Sequence, residues 1–144
     1  MAPELKEPIM PAYTTPTVTP YLLYEDLRAA WEWLEKAFGF RLRHPVPTGK
    51  ISHVEMAVGD DGVILMGCPA SGYQNPKRLG AHRTQYLYVR VTDLNQHFAR
   101  AVAAGAIVIE TPADQPYGDR RCAVEDPEGH QWYFAQSVEG SASS

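Results

Sequence analysis

His53 and Glu55 stand two positions apart in residues 52–58, whose alternation of polar and apolar side chains reads as a β-strand, so the imidazole and the carboxylate share one face. A carboxylate beside an imidazole raises its basicity, which is the arrangement of a proton-transfer pair, with Glu55 orienting His53 as base. The same spacing also suits an inert polar brace in a hairpin. Tyrosines supply the other chemistry. In residues 85–91, Leu87, Val89 and Val91 form an apolar face and turn Tyr86, Tyr88 and Arg90 to the opposite one. Phenol rings offer stacking surface with a polar edge, and a guanidinium steadies an anion. A polar, aromatic sheet face can equally be solvated or lie in a subunit interface. Cys122 is a nucleophile by type, without an activating base that the sequence can name.

The elements that carry these residues occur twice. Asp26-Leu27 recurs 67 positions later as Asp93-Leu94, Phe38-Gly39-Phe40 recurs 66 later as Ala104-Gly105-Ala106, and Gly62 recurs 67 later as Gly129. Each copy starts with a strand (residues 18–24 and 85–91). An Asp suited to capping a helix follows, then an apolar stripe: Leu27, Ala30, Trp31, Leu34 and Phe38 in the first copy, Leu94, Phe98, Ala101 and Val102 in the second. Gly39 and Gly105 supply the stops. Three further strands follow each helix: residues 40–44, 52–58 and 63–67, then 107–110, 121–124 and 131–136. The pattern is an α+β fold of two βαβββ modules, at about residues 17–68 and 85–136 of one domain spanning 17–136, joined by a linker at about 69–84. Residues 1–16, with Pro3, Pro8, Pro11 and Pro16, read as an arm without regular structure, and residues 137–144 as a polar tail.

Composition narrows the partners. With 144 residues, 44% hydrophobic and 21% charged, the chain has the make-up of a soluble globular domain. A net charge of −4 with thirteen scattered Lys and Arg gives no basic stripe for nucleic acid, and favours a neutral or mildly cationic small molecule. No apolar run is long enough to span a membrane, and the start lacks a signal peptide's apolar stretch, so the expected location is the cytoplasm. Cys68 and Cys122 are too few for a disulfide framework and lack metal-site spacing.

Taking Asp60 and Asp61 as a two-residue turn pairs Gly59 with Gly62, Glu55 with Met66 and His53 with Cys68. The 67-residue offset then equates Met66 with Tyr133, Glu55 with Cys122 and His53 with Arg120. The expected lining of the open face is therefore Thr19, Tyr21, His53, Glu55 and Met66 from the first module. The second contributes Tyr86, Tyr88, Arg90, Arg120, Cys122 and Tyr133.

Val18-Thr19-Pro20-Tyr21-Leu22, Asp26-Leu27, the Ala37-Phe38-Gly39-Phe40 stop, Tyr117-Gly118-Asp119-Arg120 and Asp126-Pro127-Glu128-Gly129-His130-Gln131-Trp132 resemble the vicinal oxygen chelate superfamily. This is the glyoxalase, bleomycin-resistance and extradiol-dioxygenase group. The resemblance runs from about Val18 to Gln136 and implies paired modules curved into a cup-shaped mixed sheet with helices outside, assembled as a homodimer. Its metalloenzymes place ligands near the start of each module's first strand and on its last strand. Those positions here are Thr19, Tyr86, Met66 and Tyr133, which lack the imidazole or carboxylate donors of such a site, so neither metal nor cofactor is expected.

Three readings stay open from the residues. The first is a metal-independent binding protein of the bleomycin-resistance kind, sequestering a cationic or planar aromatic antibiotic or secondary metabolite against Tyr21, Tyr86, Tyr88 and Tyr133. The second is a metal-free isomerase, cyclase or lyase acting on a carbonyl compound through His53 and Glu55. The third is a glyoxalase-like metalloenzyme with relocated ligands.

Overall fold

The computed structural model describes residues 16–69 and 71–138; most of the expected arm and tail lies outside them. Both long helices begin where an aspartate can cap them. The carboxylate of Asp26 accepts from the Ala29 N–H at 3.1 Å to open α1 (Leu27–Phe38), and that of Asp93 accepts from the Gln96 N–H at 3.2 Å to open α3 (Leu94–Ala103). Helix α1 buries the stripe expected of it and stops at Gly39, which takes the left-handed conformation at φ 77°.

Among the described residues eight strands form two four-stranded sheets. In the first, β1 (Tyr21–Leu23) lies parallel to β4 (Gly62–Gly67), followed by β3 (His53–Val58) and the short β2 (Arg41–Leu42). The second repeats the order with β5 (Leu87–Arg90), β8 (Gln131–Ser137), β7 (Asp119–Glu125) and β6 (Ile107–Asp114). Between them the linker carries one helical turn, α2 (Pro76–Leu79). The first strand is shorter than the alternation suggested. Pro20 has no N–H to give a ladder, although its carbonyl accepts from Leu65, so Thr19 lies ahead of β1.

The helix sides of both modules share one core. Phe38, at the end of α1, meets Trp132 and Phe134 of the second sheet edge-on at 5.4 and 4.7 Å between ring centres, and Trp33 Nε1 donates to the Ala104 carbonyl at 2.7 Å. Those aromatic contacts leave the opposite faces of the two sheets open, with Tyr21, Tyr86 and Tyr88 exposed on them.

The hairpins differ from the expected register by one residue. Val58 pairs with Gly62, so three residues, 59–61, form the loop, with Gly59 at φ 62°. A two-residue turn of the favoured hairpin type would need positive φ at both aspartates; the extra loop residue puts that conformation on glycine instead. Glu55 consequently faces Leu65, while Met66 pairs with Val54 on the helix side. The second hairpin has the same loop length, residues 127–129 between Asp126 and His130, which close with a 2.9 Å backbone bond. First strands and helices are thus related by 67 positions but hairpins by 68. Because strand side chains alternate, that single step inverts every face assignment made across it.

Three expected lining residues move accordingly. Met66 and Cys122 have no exposed surface and belong to the core, where burial pushes the Cys122 thiol up to about 11, away from any nucleophilic role. Arg120 also turns to the helix side, donating to Asn95 of α3 and to Asp114, both at 3.1 Å. Their places on the open face are taken by Leu65, Ala123 and Arg121, with Arg121 now the counterpart of His53.

Candidate functional site

Alternation in β5, β7 and β8 brings the side chains of Tyr88, Arg90, Asp119, Arg121 and Tyr133 to the open face of the second sheet, and Tyr86 joins them from the residue before β5. Asp119 is buried, and its carboxylate accepts from Tyr88 Oη at 2.6 Å and from Arg90 at 2.9 Å. The Arg90 guanidinium and the Tyr88 hydroxyl hold that carboxyl below its usual range; burial and the Asp119 bond push the Tyr88 phenol up. Next to them, Arg121 directs Nε and a terminal nitrogen at the two oxygens of Glu110, at 3.1 and 3.2 Å, a forked pair. Its other terminal nitrogen donates to Tyr117 Oη at 2.9 Å. Every charge in this cluster has its opposite within bonding distance.

Rings and a guanidinium form a ladder across the strands. The Arg121 guanidinium, from β7, lies 5.1 Å from the Tyr133 ring centre on β8, and Tyr86, from the β5 side, stacks on Tyr133 at 3.8 Å and 27°. Tyr86 ends the ladder, half exposed, at the wall of a cleft of about 330 Å³ between β1 and β5. Tyr21, also half exposed, lines the same cleft from β1. Linker residues between 73 and 84 line much of the rest, including Tyr73, Leu79, His82 and Arg83.

Polar contacts hold that linker in place. Arg78 forks onto Glu25 at 2.7 and 2.9 Å and draws its carboxyl down to about 2. Asn75 donates its backbone N–H to Glu25 and its side chain to Glu128, while Tyr73 Oη donates to the Leu23 carbonyl at 2.9 Å. Glu128, from the β7–β8 loop, accepts from the backbone N–H groups of Glu25 and Asp26 at 2.6 and 2.9 Å, just ahead of α1. Beneath lies buried Asp126, which accepts from Tyr24 Oη at 2.6 Å, Trp132 Nε1 at 3.1 Å and two backbone N–H groups of its own loop.

His53 and Glu55 do share a face, as the spacing required, but they are not joined. Glu55 gives its carboxylate to Arg43 at 3.2 Å and its backbone N–H to His44 Nε2 at 3.3 Å, while the exposed His53 makes no bond to it. Thr19 is half-buried ahead of β1. Sequence reasoning passed over Arg121, Glu110, Asp119 and Tyr117. The Tyr-Gly-Asp-Arg segment marked the neighbourhood, and counting three loop residues would have turned Asp119 and Arg121 to the open face.

The four positions at which the resemblance implies metal ligands do not fit a metal. With the register corrected they are Thr19, Leu65, Tyr86 and Tyr133: a hydroxyl, an aliphatic side chain and two phenols that stack on each other. Among the described residues no three His, Cys, Asp or Glu side chains converge elsewhere.

Known proteins agree with this architecture. Residues 15–134 match the sequence model of the Glyoxalase/Bleomycin resistance protein/Dioxygenase superfamily. An uncharacterized protein of Mycobacterium bovis is 34% identical over 130 residues, covering 85% of this chain and 84% of its own length. Among solved structures, TioX from Micromonospora sp. ML1 is 31% identical with a TM-score of 0.66, over 85% of this chain and 97% of that one. The fosfomycin resistance protein FosX from Mesorhizobium loti, 14% identical, shares the fold at a TM-score of 0.62 over 91% of this chain and 99% of its own. The chain belongs to the glyoxalase/bleomycin resistance protein/dioxygenase superfamily.

Proposed function

We propose that this protein is a metal-independent small-molecule-binding protein that captures a planar aromatic compound, as an antibiotic- or secondary-metabolite-sequestering member of its superfamily. The observation that carries the reading is the Arg121–Tyr133–Tyr86 ladder, which ends on a half-exposed ring at the mouth of a cleft. A flat π-system laid on Tyr86 extends that stack without a new charge. Self-neutralisation of the site argues in the same direction: Arg90 with Asp119 and Arg121 with Glu110 leave no unpaired acid in the cluster to attract a cation, so planarity rather than positive charge is the recognised property. Sequestration requires no acid–base pair, and the separation of His53 from Glu55 removes the observation that favoured catalysis.

A second copy of the chain completes the reading. The exposed tyrosines on open sheet faces suit a homodimer in which the faces of two subunits enclose the ligand, in the cytoplasm where no disulfide is needed. Calorimetric titration against a panel of planar aromatic antibiotics, neutral and cationic, tests the function. Binding at about micromolar Kd or tighter is expected, lost in Tyr86→Ala/Tyr133→Ala; no heat from any compound up to about millimolar would overturn it. Light scattering coupled to gel filtration reads the mass, and a monomer at all concentrations would sink the dimer.

A further inference from the structure

On the β1 side of the cleft, Tyr21 sets the Cε1–hydroxyl edge of its ring against Gly67 of β4, the residue that follows Met66 and pairs with His53. A Cβ built on Gly67 would sit 2.8 Å from Tyr21 Cε1 and 2.9 Å from its hydroxyl oxygen, inside van der Waals contact. The ring can occupy this place only because residue 67 has no side chain. Backbone conformation does not call for glycine, since Gly67 is absent from the set with positive φ. Its lack of a Cβ is therefore used for space.

The second module shows what the first lacks. The counterpart of Gly67 is Ala135, and that of Tyr21 is Tyr88, which is held by its 2.6 Å bond to Asp119. Asp119 corresponds to Ile51 in the first module, which offers no acceptor. Among the described residues the Tyr21 hydroxyl has no hydrogen-bond partner, so the space left at Gly67 is what receives the edge of its ring where it lines the cleft.

We propose that Gly67 is a specificity-determining position for the ligand site, setting the width of the Tyr21–Tyr86 slot so that it admits a flat ring. The inference rests on the stacking reading given above. A methyl group at residue 67 displaces the edge of the Tyr21 ring and so alters the slot that the ring lines, at little cost to the fold because the displaced atoms are the far end of one side chain. No other residue has to move.

The test uses acridone, a neutral, fluorescent, planar tricycle, titrated into the full-length protein and into Gly67→Ala, Tyr21→Ala, the corresponding double variant and Tyr86→Ala, with thermal unfolding and a crystal structure of Gly67→Ala alongside. Gly67→Ala should weaken acridone about tenfold with an unchanged melting temperature, and should cost nothing further in the Tyr21→Ala background, because the methyl acts only through that ring. Its crystal structure should show the Tyr21 ring displaced from residue 67 and the slot narrowed. A Tyr21 ring still in its wild-type place against residue 67, or an unchanged affinity in Gly67→Ala while Tyr86→Ala loses binding, overturns the role of Gly67 and leaves the stacking site standing. Wild-type protein that fails to bind acridone, or binds it equally well in Tyr86→Ala, removes the stacking reading and this inference with it.

Discussion

Acidification should weaken this fold at one identifiable ring. His97, on α3, packs between Phe38 of α1 and Phe134 of β8, with ring centres 5.8 and 4.1 Å away, and its Nε2 is buried without a hydrogen-bond partner. Burial, with help from the Arg100 charge, lowers its pKa from 6.5 to about 4. A lowered histidine pKa means that the unfolded chain takes up the proton first. Stability is therefore intact above about pH 6.5 and is lost as pH falls from there to about 4. The fall from 6.5 to about 4 corresponds to about 3 kcal/mol below pH 4 and about 2 kcal/mol by pH 5, somewhat less for the part of the ring in contact with solvent. Urea denaturation of wild type and His97→Leu at pH 7.5, 6 and 5 measures this term alone, because acid-labile carboxylates such as Asp119 are common to both proteins and cancel. The leucine variant should gain about 2 kcal/mol relative to wild type between pH 7.5 and 5. A difference that stays constant with pH would refute the argument, whichever protein proves more stable at neutrality.

Other outcomes follow from particular contacts. Asp126→Ala strands Tyr24 Oη, Trp132 Nε1 and two backbone N–H groups and should cost about 3 kcal/mol or more by guanidinium denaturation. Asp119→Asn removes the negative charge beside Tyr88, so its phenol should ionise at lower pH in ultraviolet titration and ligand affinity should fall as Arg90 comes loose. Glu25→Gln, at an exposed pair, should leave global stability nearly unchanged while accelerating amide exchange across residues 73–83. In the native protein a disulfide reagent should modify Cys68 and leave Cys122 untouched until denaturant is added; rapid labelling of Cys122 would contradict the register described for β7.

The sequence was most legible where one physical signal dominates over a short distance. Asp26, the apolar stripe of α1 and Gly39 each mark the helix independently, and they agree with its observed bounds. Tyr86, Tyr88 and Arg90 were read from alternation within one strand, which needs no knowledge of any loop. Met66, Arg120 and Cys122 were misplaced because their faces were counted through a turn, and turn length is set by a conformational choice at Gly59 that composition does not reveal. The ladder of Arg121, Tyr133 and Tyr86 joins three strands, and its members became neighbours only once that count was right.

The cap that Glu128 places on the backbone at Glu25 and Asp26 spans 103 residues in its longer contact. Its positional counterpart in the first module, Asp60, is exposed and makes no matching bond to the second helix, so the tie runs one way. During synthesis the first helix leaves the ribosome long before the carboxylate that completes its entrance has been made. Residues 17–68 therefore lack the carboxylate that closes the entrance of their helix until residue 128 has been made, although the two halves are built on one plan.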